Sequence, residues 1–289
     1  MNQHTQHPDG HAWAGVLAFT SHGARIGIRV TEPAVLDRLR GILPVGSAIQ
    51  QIGLVDVLYS IYASLGSEAI PRYNVYEVLR TVASQCSIER TLLLLESDLQ
   101  FQVAQYARTA LFVHAGVVGW NGRALLIPGR SMSGKTSLVA ALVRAGAVYY
   151  SDEYAVIHAD GSIHPYARAL VVRDSNRRTR KVTPEELGAE RGSLPLRATA
   201  IISTKYSAGA QWRPRRMTNG QAMLALVDNT VVAQTKPKLT VDTLAKAACG
   251  VIGLRSPRGE ADPVAAWLLR WLDRTRAPQS ATDNVVAIA

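Results

Sequence analysis

The stretch from Ala124 to Gly146 limits the fold of this chain more than any other. Ala124-Leu125-Leu126-Ile127 reads as a buried strand, Gly129 to Thr136 reads Gly-Arg-Ser-Met-Ser-Gly-Lys-Thr, and Ser137 to Ala145 reads as a helix stopped by Gly146. The middle segment satisfies G-x-x-x-x-G-K-[ST] at every fixed position. Gly129 and Gly134 carry no Cβ, so the backbone can turn tightly and aim its N–H groups at an anion in front of the helix's positive end. On this reading the cradle runs from Gly129 through Arg130, Ser131, Met132, Ser133 and Gly134 to Lys135, Thr136 and Ser137, and it holds a nucleoside triphosphate. Lys135 would reach the β- and γ-phosphates, and the Thr136 hydroxyl would hold Mg2+. A Gly/Ser-rich surface turn would match the loop alone, but not the strand before it and the helix after it.

The flanking sequence sets the kind of sheet. Val117-Val118-Gly119-Trp120, then Asn121-Gly122, then Arg123 to Ile127 is a strong hairpin signal, which gives the strand feeding the loop an antiparallel neighbour. A mixed central sheet follows, rather than a plain doubly wound parallel one. Beyond the helix, Asp152-Glu153 separates two apolar runs, 147–150 and 155–158, and a second hairpin turns at Asp160-Gly161. The segment from Arg168 to Lys181 holds five Arg and one Lys against the single acid Asp174. It is either a solvated loop or a contact for anionic substrate, with Arg168 and Arg173 as the candidate cations and Lys205 as a third. Leu196 to Ser203 reads as a strand. Helices follow from Asn219 to Val227, from about Thr240 to Cys249, and from Asp262-Pro263 onward.

The N-terminal part carries no recognisable chemistry. Residues 1–11 and the residues after 275 read as disordered tails, and 12–105 as a small α+β domain ahead of a catalytic domain over 106–275. Within the small domain, strands are expected near 16–19, 25–30, 55–62, 73–76 and 90–95. One helix is capped by Thr31, and another starts at the capping box Ser97-Asp98-Leu99-Gln100 and runs to His114. The 289-residue chain carries a net charge of +10, and the charge is unevenly placed: residues 1–105 have seven Arg, no Lys and nine acids, while residues 106–289 have 25 basic and 13 acidic side chains. The positive field therefore surrounds the glycine loop and suits an anionic ligand. With 6% aromatic residues and none of the common nucleic-acid modules, nucleic acid is not the expected partner. No apolar run approaches a membrane span, and Cys86 and Cys249 are read as reduced core thiols. A cytoplasmic location is the corresponding expectation, with a homo-oligomer through the N-terminal part as an option.

Phosphoryl transfer asks for a phosphate cradle, a metal, a carboxylate to take the acceptor's proton, and cations for the transition-state charge. Gly129 to Thr136, Asp152/Glu153, His114 and the arginine-rich segment offer candidates for all four. In this arrangement the chain resembles the HPr kinase/phosphorylase family, over about residues 106–166. The matching run is His114-Ala115-Gly116, the Asn121-Gly122 turn, the glycine loop, Arg144-Ala145-Gly146 and Asp152-Glu153, with the histidine 21 positions before Lys135 and the acids 17 and 18 after it. The family's second acid is usually Asp, its later Glu-Ile-Arg-Gly segment has no match here, and the first 105 residues differ. The chain is in this respect similar to the HPr-kinase-like proteins of peptide-biosynthesis clusters, including lasso-peptide tailoring kinases.

The resemblance implies an α/β P-loop kinase domain of HPr kinase type with a mixed central sheet, using ATP and Mg2+ to phosphorylate a hydroxyl, most naturally serine of a peptide or protein. It implies catalytic roles for His114, Lys135, Asp152 and Glu153, and metal binding by Thr136 and Asp152. Which acid is the base stays open, as do a small-molecule acceptor and a nucleotide-binding regulator without transferase activity.

Overall fold

The computed structural model describes residues 12–65, 70–130, 133–173 and 179–275, with Leu65, Arg173 and Thr179 described by backbone alone. The two expected tails, loop residues Ser131 and Met132, and the side chain of Arg173 lie outside the described residues. The chain divides into two compact units, Met1–Thr109 and Ala110–Ala289.

The first unit is a six-stranded sheet with helices. Its elements are β1 Gly15–Ser21, β2 Ala24–Val30, α1 Ala34–Arg40, β3 Ser47–Gln50, β4 Val57–Leu65, β5 Pro71–Glu77, β6 Arg80–Cys86 and α2 Ile88–Tyr106. The strand order is β3-β1-β2-β4-β5-β6, with β2 and β4 parallel and the other pairs antiparallel. Leu92, Leu95, Leu99 and Val103 are buried on α2, the three- and four-residue spacing of one helical face.

Five expectations are corrected here. Residues 90–95 are helix rather than strand, because Leu92 and Leu95 belong to that buried face while Leu93 is exposed. The capping residue of α2 is Ser87, whose hydroxyl accepts from the Arg90 N–H, so Ser97 to Gln100 lies inside the helix. A four-residue cap signature reads alike at a helix start and in a helix interior. The helix ends at Tyr106, and His114 belongs to a strand in the second unit. Thr31 does not cap α1 either; its hydroxyl accepts from the Ala63 N–H, and Pro33 takes the cap position. Nor are the cysteines core residues, since Cys86 is half-buried and Cys249 exposed.

The second unit is a mixed α/β layer structure. Its strands are β7 Ala110–Trp120, β8 Arg123–Pro128, β9 Val148–Ser151, β10 Tyr154–His158, β11 Ile163–His164, β12 Leu170–Arg173, β13 Thr179–Val182, β14 Arg197–Tyr206, β15 Arg215–Met217 and β16 Ile252–Arg258. Its helices are α3 Lys135–Arg144, α4 Asn219–Val227, α5 Pro237–Ala247 and α6 Ala261–Arg274. The main sheet runs β11-β10-β7-β8-β14-β16-β15, with β9 also paired to β7. β8, β14 and β16 are mutually parallel, and β7, β9, β10, β11 and β15 pair antiparallel. The hairpin between β7 and β8 turns at Asn121 and Gly122, both with positive φ, as a two-residue turn of this kind requires.

Alternation along the strands feeds two cores. Ala124, Leu126 and Ile201 join Leu226 of α4 and Leu244 of α5 on one face; Leu125, Ile127 and Ile202 join Leu138 of α3 and Leu268 of α6 on the other. β12 and β13 form a separate two-stranded sheet, so the basic segment expected as a loop is a hairpin over its described part. The helix at 219 is capped by Thr218 rather than Asn219, in a reciprocal capping box with Gln221. β16, which the sequence reading passed over, lies beside β14 and delivers Arg258 to the edge where β8 ends. Among the described residues no helix is long and apolar enough to cross a membrane.

Candidate active site

The site is assembled where β8 ends. The chain leaves Pro128, passes Gly129 and Arg130, and enters α3 through Gly134, whose φ of 87° is open to glycine and strained for other residues. The Lys135 ammonium donates to the carbonyls of Gly129, at 2.5 Å, and Arg130, at 3.3 Å, which sets the charge at the mouth of the loop. Burial pushes the Lys135 pKa down, and the charges of Asp152 and Glu153 push it back up. Ser137 is exposed in the first turn of α3.

The acid pair reaches the loop through the sheet. β9 pairs with β7 up to Ser151 opposite Val117, and β10 resumes at Tyr154 opposite His114, so Asp152 and Glu153 bridge two ladders on one strand. Asp152 is fixed on both oxygens, with the Thr136 hydroxyl donating to Oδ2 at 3.1 Å and the Tyr149 hydroxyl to Oδ1 at 3.0 Å. Burial raises the Asp152 pKa, opposed by the bonds from Tyr149 and Thr136 and by the charge of Lys135. Glu153 is about half exposed and lies 3.7 Å from the guanidinium of Arg168. The two acids thus have different surroundings: one is held beside the first turn of α3, the other opens toward solvent and a cation.

His114 projects from β7 with its ring centroid 4.6 Å from that of Tyr154. Its backbone carbonyl accepts from the Gly129 N–H, which ties the strand to the start of the loop. Burial first, and the Lys135 charge second, lower its pKa, so the ring is held in the neutral form. The structure therefore brings Lys135, Thr136, Asp152, Glu153, Arg168 and His114 into one neighbourhood. Lys205 is exposed near the end of β14.

Two residues of this neighbourhood carried no signal at the sequence level. Tyr149 is fully buried, and its hydroxyl holds Asp152. Arg258 is 1% exposed; Nη2 donates to the Gly134 carbonyl at 2.5 Å and Nη1 to the Gly259 carbonyl at 2.8 Å, while Nε is buried without a hydrogen-bond partner among the described residues. Its guanidinium stands over the Tyr206 ring at 5.7 Å. Only the parallel pairing of β16 with β14 places it there, against a loop 124 residues earlier in the chain.

The residues fit a magnesium ion of the kind that keeps most of its water and phosphate ligands. Such an ion takes one or two protein oxygens, and the Thr136 hydroxyl and the Asp152 carboxylate already face one another. A protein-only metal cage is a different case: among the described residues no group of three or more His, Cys, Asp or Glu could hold a metal. Compared with protein-family models and with curated proteins, the chain finds no match.

Proposed function

We propose that the protein is an ATP-dependent kinase of HPr-kinase-like type, transferring the γ-phosphoryl group to a hydroxyl, most naturally serine of a peptide or protein. The observation that carries this reading is the hydrogen bond from Thr136 to Asp152, which joins the glycine loop to the acid pair. In phosphate-loop proteins an acid at this position completes the Mg2+ site on the bound triphosphate, and the second acid of the pair, Glu153, half exposed beside Arg168, is what supports transfer to an acceptor.

Each residue then has a task. The loop N–H groups and Lys135 bind and orient the phosphates, and Thr136 with Asp152 would hold Mg2+, which supplies charge neutralisation on the phosphate oxygens. Glu153, half exposed beside Arg168, is the better placed of the two acids to take the acceptor's proton, because both oxygens of Asp152 already accept hydrogen bonds. The acceptor oxygen forms its bond to phosphorus as the bond to the leaving diphosphate breaks, and the proton ends on the carboxylate. His114, kept neutral, adds no charge beside Lys135. The loop's own cations and Arg168 offset the charge that develops.

The test is transfer of label from γ-labelled ATP to serine-containing peptides and to small hydroxyl compounds, by the wild type and by Asp152→Asn/Glu153→Gln. The double variant is expected to bind nucleotide within a few-fold of wild type and to lose transfer by at least about a thousandfold, the combined effect of base and metal ligand. Wild-type binding without transfer to any acceptor, or undiminished transfer by the variant, would sink the assignment.

A further inference from the structure

At the β15 edge of the main sheet a row of cations stands without counter-ions. Ser203 of β14 is the ladder partner of Arg255 of β16, which in turn is the partner of Arg215 of β15. Lys205 stands two positions further along β14. The strand alternation puts these side chains on the face that α4 covers, because Ile201 and Met217, two positions back on β14 and two on along β15, belong to the core shared with Leu226 of α4. Lys205, Arg215 and Arg255 are exposed, and none of them has an ion pair or a side-chain hydrogen bond among the described residues. Arg215 and Arg255 lie directly opposite one another, an arrangement of like charges that weakens a ladder. A sheet edge that keeps such a pair with no acid bound to it is suited to an anion from outside.

The row opens into a cavity of about 930 Å3 beside α4. Arg130 of the glycine loop, Lys205 and Arg255 line it, with Asp228 as the single acid among the lining residues. Asn229, at the end of α4, also lines it, and its carbonyl accepts from the His114 N–H at 2.7 Å. The next N–H along β7, that of Ala115, donates to the Glu153 carbonyl at 3.2 Å. The cavity therefore links the cations to the strand against which Glu153 is held.

We infer that the acceptor is an acidic peptide segment, whose carboxylates dock on Lys205, Arg215 and Arg255 while its serine reaches Glu153. The inference rests on the kinase reading and adds the chemistry of the acceptor. Strand spacing sets the register. From β7 to β16 is three strand steps and to β15 four, or roughly 14 to 19 Å, which an extended peptide spans in about four to six residues. The acidic run is accordingly placed about that far along the peptide from the serine. Nucleotide phosphates are served by the loop, and the row runs away from it, with Arg215 three strands from β8. Single-stranded nucleic acid is the other polyanion, and the row offers it no stacking platform: Ser203, Lys205, Arg255 and Pro257 follow one another on this face of β14 and β16, with no aromatic among them. Lys205, expected from the sequence to contact substrate, belongs to this row.

The test uses the full chain and two fluorescent synthetic peptides with a single central serine. They differ only in short runs beginning about four positions to either side of it, glutamate in one peptide and glutamine in the other. Exposed charge pairs are worth a factor of roughly two to five each, so wild type should bind the glutamate peptide about tenfold more tightly at low salt, with the gap closing at high salt. Arg215→Gln/Arg255→Gln, which relieves a like-charge pair and so spares the fold, should bring the two peptides within about twofold and leave the Kd for ATP with Mg2+ unchanged. Arg215→Glu/Arg255→Glu should reverse the preference, toward a peptide with lysine in the same places. In label transfer from γ-labelled ATP the glutamate peptide should show the lower KM, and Arg215→Gln/Arg255→Gln should raise that KM about tenfold. Equal binding of the two peptides by wild type, an unaltered preference in both variants, or tighter binding of an oligothymidylate than of the glutamate peptide would overturn the inference. Weakened ATP binding in the variants would overturn it too, by giving the row to the nucleotide. Charge-dependent peptide binding with no label transferred would sink the kinase reading and keep the row as a docking surface for acidic peptide.

Discussion

Replacing Arg258 by methionine separates what holds the fold from what prepares the loop. The guanidinium makes two charge-assisted bonds to backbone carbonyls, at 2.5 and 2.8 Å, each worth about 1.5–3 kcal/mol, or roughly 3–6 kcal/mol together. Against this stands the desolvation of a cation in a residue 1% exposed, which costs several kcal/mol. Burial accordingly lowers the Arg258 pKa. Methionine of similar length removes both terms, and the Gly134 carbonyl keeps a bond from the Leu138 N–H at 3.2 Å. The net stability change is therefore about 2 kcal/mol or less, a shift in Tm below roughly 8 °C for a domain of this size.

Nucleotide binding should respond differently. Arg258 bonds the Gly134 carbonyl alongside the Leu138 N–H, and so sets a positive charge against the start of α3 and the loop. Losing that bond and the adjacent positive charge should cost about 1.5–3 kcal/mol in affinity, a rise in the Kd for ATP of roughly 10- to 150-fold. Arg258→Lys, which keeps the charge without the two-pronged geometry, should fall between. Calorimetric titration with ATP and thermal unfolding of the same preparations give both quantities. A Kd within twofold of wild type, together with a loss of more than about 4 kcal/mol in stability, would show that the residue only supports the fold and refute the reasoning.

Two further perturbations test the frame around the loop. The pKa of His114 is lowered from 6.5 by burial and by Lys135, so below pH 6.5 the unfolded chain takes up a proton that the folded one resists. The stability of wild type relative to His114→Gln should therefore decline as pH falls below 6.5 toward the folded-state pKa, and a difference in Tm that stays constant from pH 7.5 to 5 would contradict this. A Cβ at Gly116 would lie 2.5 Å from Val139 Cγ2, so Gly116→Ala should cost about 1–3 kcal/mol by forcing α3 outward, and Val139→Ala should restore part of that loss in thermal unfolding of the double variant.

What could be read from the sequence and what could not divides along a physical line. The hairpin at Asn121-Gly122, the loop and α3 were legible because turn residues and glycines act over a few positions. The acid pair was legible because it follows α3 within the same short span. α2 was misjudged because a leucine-rich run suits either strand or helix until the surface it packs on is known. β16 went unseen because Ile252-Gly253-Leu254-Arg255 has little apolar length of its own and becomes a strand through its partners β14 and β15. Arg258 and the cavity at α4 depend on that same pairing, and so no local pattern announced them.

The acids' place between β9 and β10, both laddered to β7, also governs how this site can vary. A carboxylate at the tip of a loop can be repositioned by adding or deleting a residue, since the rest of the loop absorbs the change. Asp152 and Glu153 have no such slack: Ser151 is registered against Val117 and Tyr154 against His114, with the Ala115 N–H donating to the Glu153 carbonyl at 3.2 Å between them. A single insertion there would invert every side chain on β10, taking Ala155 and Ile157 out of the core they share with Leu226 and Leu244 and forcing Tyr154, Val156 and His158 into it. Length changes are cheaper at Ala208 and Gly209, exposed between β14 and β15, where no ladder counts the residues. The acid pair is thereby locked to the sheet while the exposed turn is free to diverge.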